Sequence, residues 1–325
     1  MPGRLDLDLD LDLDLDLDLA VRGGRGRSAR YNTEDYPKLA PIPPNVNVPT
    51  LRYAPGWNPE YRAWAYVYDF IASFVQPHAG GGVDLVHPID RFRDQINAQN
   101  FFPVPNEPAA ANRLDTPAKM RDQITGVLDA SIDRADRARE IIDQATAPGA
   151  LRYWTGLLHI DPSKETNTFL LILVARKIGE FVAMGLKNHY SMRRPAQVYP
   201  WIMPLIDGPD TPSFPSSHSL QAHLISGALK LALPTPEFWP PAWPPVQGPL
   251  LPVLPAVTSA GETAKALDVL ADRVARNREI AGVHYPMDSA GGYYAALYCI
   301  YWLNNNVVSF QNLVNASKPE LSDLP

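Results

Sequence analysis

Only one cysteine, Cys299, occurs among the 325 residues. An intramolecular disulfide is therefore excluded, and cysteine usage says nothing about compartment. Its neighbours Tyr298 and Ile300 read as core, so the thiol is expected to be buried and inert. Long apolar runs are missing as well. The run 169–175 stops at Arg176-Lys177, and the uncharged stretch 289–317 has an apolar heart, 293–303, that ends at Asn304-Asn305-Asn306. Neither reaches the roughly 20 residues a helical span needs, so no stable membrane span is expected. The N-terminus has no continuous apolar segment of the secretory kind, because Asp alternates with Leu from residue 5 to residue 19. The expectation is a soluble protein, cytoplasmic as written, with export left open by this unusual start.

Net charge of one sign is also scarce once the tail is set aside. The formal charge is −6, but Asp6, Asp8, Asp10, Asp12, Asp14, Asp16 and Asp18 lie in the Leu-Asp repeat, and removing those seven leaves +1. A nearly neutral body has no electrostatic claim on nucleic acid. Finally, no strand pattern appears outside the tail. What remains is 46% hydrophobic and 20% charged, an ordinary globular balance.

Residues 1–30 read as a disordered tail, since alternation would line all the carboxylates on one face. Residues 31–56, rich in Pro and Asn, are expected to wrap the surface as extended coil. A single all-α domain is then expected over 57–315. Its first helix, 57–76, carries Tyr61, Trp64, Tyr68, Ile71 and Phe74 at helical spacing, which reads as a core stripe. A weaker helix at 90–100 follows a loop holding His78 and His87, both read as ordinary surface histidines. The polar-faced segment 116–146 is one helix or a pair, with Met120, Ile124, Val127, Leu128 and Ile132 inward. The charge run 133–140 reads as its solvated face. Helices are expected at 151–160, at 164–189 with a cap from Asp161-Pro162-Ser163, at 219–232, at 260–278 and at 286–310. Between 234 and 258 lies an insertion with nine prolines and two tryptophans, Trp239 and Trp243.

Three separated pieces carry chemistry. The first is Lys187-Asn-His-Tyr-Ser-Met-Arg-Arg194-Pro195, the second Phe214-Pro215-Ser216-Ser217-His218-Ser219, and the third Asn277-Arg278 followed by Val283-His284-Tyr285-Pro286-Met287-Asp288. Lys187 and Arg194 lie across a helix end and the turn after it, so both can reach one anion. Ser216 opens a helix whose first N–H groups face outward along the axis. His284 and Asp288, four apart, allow the carboxylate to take the Nδ1 proton and leave Nε2 as a nucleophile. Singly, each has a bland reading: a solvated cation pair, a Ser N-cap, a surface His–Asp pair. Their conjunction in this order points to a site for a tetrahedral oxyanion of about two charges.

The pattern Lys-x6-Arg-Pro, Pro-Ser-x-His, Arg-x5-His-x3-Asp resembles the signature of the type 2 phosphatidic acid phosphatase superfamily. That superfamily also holds the bacterial class A acid phosphatases and the vanadium-dependent haloperoxidases. The likeness covers about residues 160–300 and implies an all-α helical bundle of that kind. By matching position it implies that Lys187, Arg194 and Arg278 hold the phosphate or vanadate oxygens, completed by Ser216 and the backbone of Ser217. It implies His284 as phosphate-accepting nucleophile or vanadium ligand, Asp288 as the group orienting it, and His218 as general acid. Two positions depart from the pattern. Ser217 stands where the family usually has Gly, which would strain a Gly-only backbone, and Asn277 stands where it usually has Ser. Arg193 is a possible substitute for Arg194, while His189 and His223 read as structural.

Three functions fit these residues. One is a phosphatase acting on a small-molecule phosphate monoester through a phosphohistidine, without a metal cofactor. Another is a haloperoxidase that holds vanadate at the same residues and uses peroxide and halide. The third is a non-enzymatic phosphate- or lipid-binding bundle, which would have no use for a general acid. The length of the extensions leans towards the haloperoxidases, and the wording Val283-His284-Tyr285-Pro286 towards the phosphatases. A homo-oligomer remains open.

Overall fold

In a computed structural model the residues described are 57–77, 83–85, 88–97, 117–235 and 261–324. The Leu-Asp tail, the 31–56 segment, His78, His87 and all of the Pro-rich insertion beyond residue 235 lie outside them. By their contacts the residues fall into two units, of which Thr50–Val75 with Leu85–Pro325 holds every helix among the described residues. In the other unit the described residues are Gln76, Pro77, Val83 and Asp84, which belong to β1 (Val75–Pro77) and β2 (Val83–Leu85), three-residue strands hydrogen-bonded to each other. Apart from that pair the regular structure among the described residues is all-α. Among the described residues no helix is long and apolar enough to cross a membrane.

In chain order the helices are α1 (Pro59–Ala72), α2 (Pro88–Asn97), α3 (Pro117–Ala130), α4 (Arg134–Asp143), α5 (Ala147–Leu157), α6 (Thr166–Tyr190) and the single-turn α7 (Pro195–Val198). After them come α8 (Ser217–Ala232), α9 (Glu262–Ile280), α10 (Pro286–Asn306) and α11 (Val308–Ser317). The helix α8 is central, packed by α6, α9 and α10. Its Leu220, Leu224, Ile225, Ala228 and Leu229 are buried against Leu171, Ile178 and Val182 of α6 and Leu267, Ala271 and Val274 of the flanking α9. Each such aliphatic side chain contributes roughly 1.5–3 kcal/mol of burial. Trp154 of α5 is buried too, and its indole N–H donates to Ser226 Oγ at 3.0 Å.

Close approach of α10 to the start of α8 depends on two glycines. A Cβ on Gly291 would lie 2.3 Å from the Phe214 ring, and one on Gly292 2.7 Å from the Ser216 carbonyl. Only hydrogen at those positions lets the helices meet there. A second, small core of Ala130, Ile141, Ile280, Ala281 and Val283, with Leu205 and Ile206 against it, sits under the turn from α9 to α10. Gly282 makes that turn at φ +83°. Arg134 ties it to the 200–206 loop by donating to the carbonyls of Ile280, Ile202 and Met203.

Several expectations are corrected. The stripe over the first helix is core only at its end, where Phe74 is buried and Ile71 packs on the core; Tyr61, Trp64 and Tyr68 are exposed, and the line buried beside them is Ala63, Val67 and Phe70. Small and aliphatic residues allow α1 to lie close on α6, while the amphipathic rings stay at the edge, where Lys177 Nζ sits 5.4 Å from the Trp64 ring centroid. Leu128 on α3 and Ile132 in the 3-10 turn after it point outward, and Gln123 is buried instead, its Oε1 accepting from Met287 N. The charge run is only partly solvated, because Glu140 turns inward to Asn277. The cap of α6 does not come from Asp161-Pro162-Ser163. Glu320, from the chain's far end, accepts from the N–H groups of Asn167 (3.1 Å) and Thr168 (2.7 Å). The final helix breaks at Val307, and α11 continues past residue 315 to Ser317. The buried thiol of Cys299 is as expected, and burial raises its pKa.

Candidate active site

Lys187 lies in the last turn of α6, which ends at Tyr190 when Ser191 takes a left-handed conformation and donates to Lys187 O. Its side chain is 2% exposed and gives two N–H bonds to carbonyls, Pro212 O at 2.5 Å and Ser213 O at 3.0 Å. Arg194, 5% exposed, precedes Pro195 at the start of α7 and donates to Thr211 O (2.8 Å), Thr211 Oγ1 (3.1 Å) and Val283 O (2.9 Å). Arg278, 1% exposed, stands in the last turn of α9 and donates from Nη2 to Ile141 O. Its Nε is buried with no hydrogen-bond partner among the described residues. Three cations thus converge below the protein surface, and the acceptors they reach are mostly neutral carbonyls.

Asp288 is the one carboxylate among them. It stands three residues after the N-cap of α10 and accepts from the Tyr285 N–H at 3.0 Å, so it caps the helix as well as serving the site. The same Oδ2 accepts from Ser213 Oγ (2.5 Å) and from His284 Nδ1 (2.9 Å). Burial pushes Asp288 up to about 6, against the pull of the Ser213 and Tyr285 hydrogen bonds and of Lys187 and Arg194. At neutral pH it is therefore the acceptor that three donors require. Glu279 pairs with Arg276, and Glu140 pairs with Arg273 while its charge also acts on Arg278 from the α4 side. Buried positive charge in this excess is the kind that an anion can balance.

The tautomer of His284 follows from its partners. Nδ1 faces a carboxylate and so carries the proton, while Nε2 lies 3.3 Å from Arg194 Nη1, a group that can only donate. Burial, then the charges of Arg194, Lys187 and Arg278, holds the imidazole well below its usual pKa. Nε2 therefore keeps an unprotonated lone pair, which accepts from Arg194 Nη1. His218 keeps a partly exposed edge. Its Nε2 lies 3.0 Å from Gln144 O, which can only accept, so Nδ1 is the nitrogen left to exchange a proton. Burial, then Arg278 and His284, lowers its pKa too.

Ser216 is the buried N-cap of α8, its Oγ accepting from Ser219 N at 3.3 Å and its N–H donating to Asp288 O at 3.0 Å. Ser217 is the first residue of α8 and the described non-glycine residues of positive φ are His159, Ser191 and Met203, so the missing glycine costs no backbone strain. The N–H groups of Ser217 and His218 belong to the first turn, where a helix has no partners of its own.

All eight residues singled out by the motifs meet here: His284, His218, Asp288, Lys187, Arg194, Ser216, Ser217 and Arg278. Arg193 is exposed and does not join them. His223 serves the fold, bridging Ser219 O and Asp272 Oδ1 at 2.7 and 3.0 Å. Asn277 is also structural, donating to Glu140 Oε1 and Gln144 Oε1 and so fixing the turn of α4 that receives Arg278 and His218. Motif spacing could not have found Ser213, Glu140 or Gln144, whose side chains act across 75 or more residues, nor Thr211, which lies in the loop between the first two pieces. Among the described residues no group of three His, Cys, Asp or Glu side chains is placed to hold a metal ion. Compared with models of known families and with curated proteins, the chain matches none.

Proposed function

We propose that this protein is a phosphatase that hydrolyses a phosphate monoester through a phosphohistidine at His284, with the bundle and site of the type 2 phosphatidic acid phosphatase superfamily. The observation that carries the reading is the burial of Lys187, Arg194 and Arg278 around a single carboxylate. A tetrahedral dianion balances that charge and supplies the acceptor that Arg278 Nε lacks.

Bound there, the ester presents phosphorus to His284 Nε2. Attack forms the P–N bond as the P–O bond to the leaving group breaks. His218, protonated once the dianion offsets its cationic neighbours, gives a proton from Nδ1 to the departing oxygen. The imidazolium keeps its Nδ1 proton on Asp288, which stabilises the positive charge. The three cations and the first-turn N–H groups of α8 stabilise the equatorial oxygens. His218, now neutral, takes a proton from water as that water attacks phosphorus. The P–N bond breaks and inorganic phosphate leaves.

Vanadate, of the same shape and charge class, fits the same donors with His284 Nε2 as its protein ligand, and a haloperoxidase would use that group to activate peroxide. A paired assay on one preparation separates the readings. Hydrolysis of p-nitrophenyl phosphate that orthovanadate inhibits and His284→Ala abolishes is the expected result. Vanadate-dependent bromination by peroxide with negligible hydrolysis would replace the phosphatase reading by the haloperoxidase one. Phosphate binding with neither activity would leave a binding bundle.

A further inference from the structure

We propose that Ser213 is a positioning residue of this reaction, whose hydroxyl holds Asp288 as the acceptor for His284 Nδ1 while its carbonyl holds Lys187 over the same site. The proposal rests on the phosphatase reading for its kinetic consequences, and on geometry for its substance. Ser213 lies two residues ahead of the Pro215-Ser216-Ser217-His218 piece and belongs to none of the three motifs.

Its side chain is fully buried. Oγ donates to Asp288 Oδ2 at 2.5 Å, the shortest of the three bonds to that oxygen. Its carbonyl accepts from Lys187 Nζ at 3.0 Å. Its own N–H is spent on Met192 O at 2.8 Å, which ties it to the chain between Lys187 and Arg194. One residue therefore touches the carboxylate that orients His284 and one of the three cations. A purely structural serine in this loop would need the backbone bonds alone; the hydroxyl aimed at the catalytic carboxylate is what those bonds do not explain.

The consequence follows from the other oxygen. Asp288 Oδ1 is buried without a hydrogen-bond partner among the described residues, so all its donors sit on Oδ2. Removing the Ser213 hydroxyl leaves that carboxylate with two donors, in a place where burial already favours its protonated form. Once protonated, Asp288 can no longer take the Nδ1 proton of His284. The titratable and charged groups around it are Lys187 on α6, Arg194 at α7, Glu279 on α9, and His284 and Tyr285 ahead of α10. None of these changes in a Ser213 variant.

The test compares Ser213→Ala and Ser213→Thr with the unmodified full chain in two measurements. The first is the pH profile of p-nitrophenyl phosphate hydrolysis, with inorganic phosphate affinity as the check on site integrity. In Ser213→Ala, kcat is expected to fall roughly 10- to 100-fold, as for a lost charge-assisted hydrogen bond. KM and phosphate affinity should change less than about threefold, and the acid limb should move up by about one pH unit. Ser213→Thr, which keeps a hydroxyl, should recover most of the loss. The second measurement follows the His284 ring ¹⁵N resonances against pH and needs no turnover. The pH at which the Nδ1–H tautomer is lost should rise in Ser213→Ala and return in Ser213→Thr.

An unchanged acid limb and tautomer midpoint in Ser213→Ala would overturn the assignment, as would phosphate affinity falling in step with kcat. A wild-type chain with no hydrolysis, but with the tautomer shift present in Ser213→Ala, would sink the phosphatase reading and leave the Ser213 assignment standing.

Discussion

His284 Nδ1 lies 2.9 Å from Asp288 Oδ2, although His284 precedes the helix and Asp288 belongs to its first turn. The capping of α10 and the orientation of the His284 ring therefore use one oxygen. Asp288→Asn keeps the shape but offers an NH₂ or a weaker acceptor to the ring. kcat is expected to fall ~10²–10⁴-fold with a smaller change in KM, read by steady-state kinetics. Helix capping survives in part, so Tm should drop by only a few degrees.

His218 and His284 should separate in a trapping experiment. With p-nitrophenyl phosphate, whose leaving group needs little protonation, His218→Ala should still be phosphorylated but hydrolyse the intermediate slowly. Acid-labile, base-stable phosphoprotein is expected to accumulate in His218→Ala and to be absent in His284→Ala. Rapid quenching with labelled substrate reads both.

Burial raises Asp288 from 3.8 to about 6 and lowers Lys187 from 10.5 to about 7. Between pH 3.8 and about 6 the folded chain keeps a proton on Asp288 that the unfolded chain has lost, so this group's contribution to stability falls as pH rises. Between about 7 and 10.5 the folded chain has given up a Lys187 proton that the unfolded chain keeps, so that contribution rises with pH. The ligand-free protein is least favoured by the pair between about 6 and 7, where both groups are charged in either state. Inorganic phosphate should accordingly raise Tm more at pH 6.5 than at pH 9, measured by calorimetry. The kcat/KM profile should be a narrow bell whose limbs belong to the coupled cluster, and Lys187→Arg should move its alkaline limb upward.

Glu320 caps α6 from more than 150 residues away, its two oxygens taking the Asn167 and Thr168 N–H groups and the Thr168 hydroxyl. Glu320→Ala should cost about 1–2 kcal/mol of stability by denaturant titration. The site end of α6 is 25 residues long from its cap, so phosphate affinity should stay unchanged.

The sequence by itself determined the helical class and the chemical inventory. Apolar residues at helical spacing in α6, α8 and α10, with breaks at Ser191, Pro215 and Gly282, left few ways to arrange those segments. The eight motif residues are legible because spacing within one helix end or turn is local geometry. Lys187 must leave the last turn of α6, and Asp288 must fall on the first turn of α10. Local geometry also explains the failures. The periodicity of Tyr61, Trp64 and Tyr68 is real, but α1 has a second line of Ala63, Val67 and Phe70, and only packing against α6 chose between them. The cap of α6 by Glu320 and the turn of Glu140 towards Asn277 join residues more than 130 positions apart, and no spacing encodes such a pair. The same holds for Ser213. Its hydroxyl reaches Asp288 across 75 residues because Gly291 and Gly292 let α10 come within contact of the loop before α8. Which residues can do the chemistry was written in local order, whereas which of them are buried, charged and held in place was decided by how the helices pack.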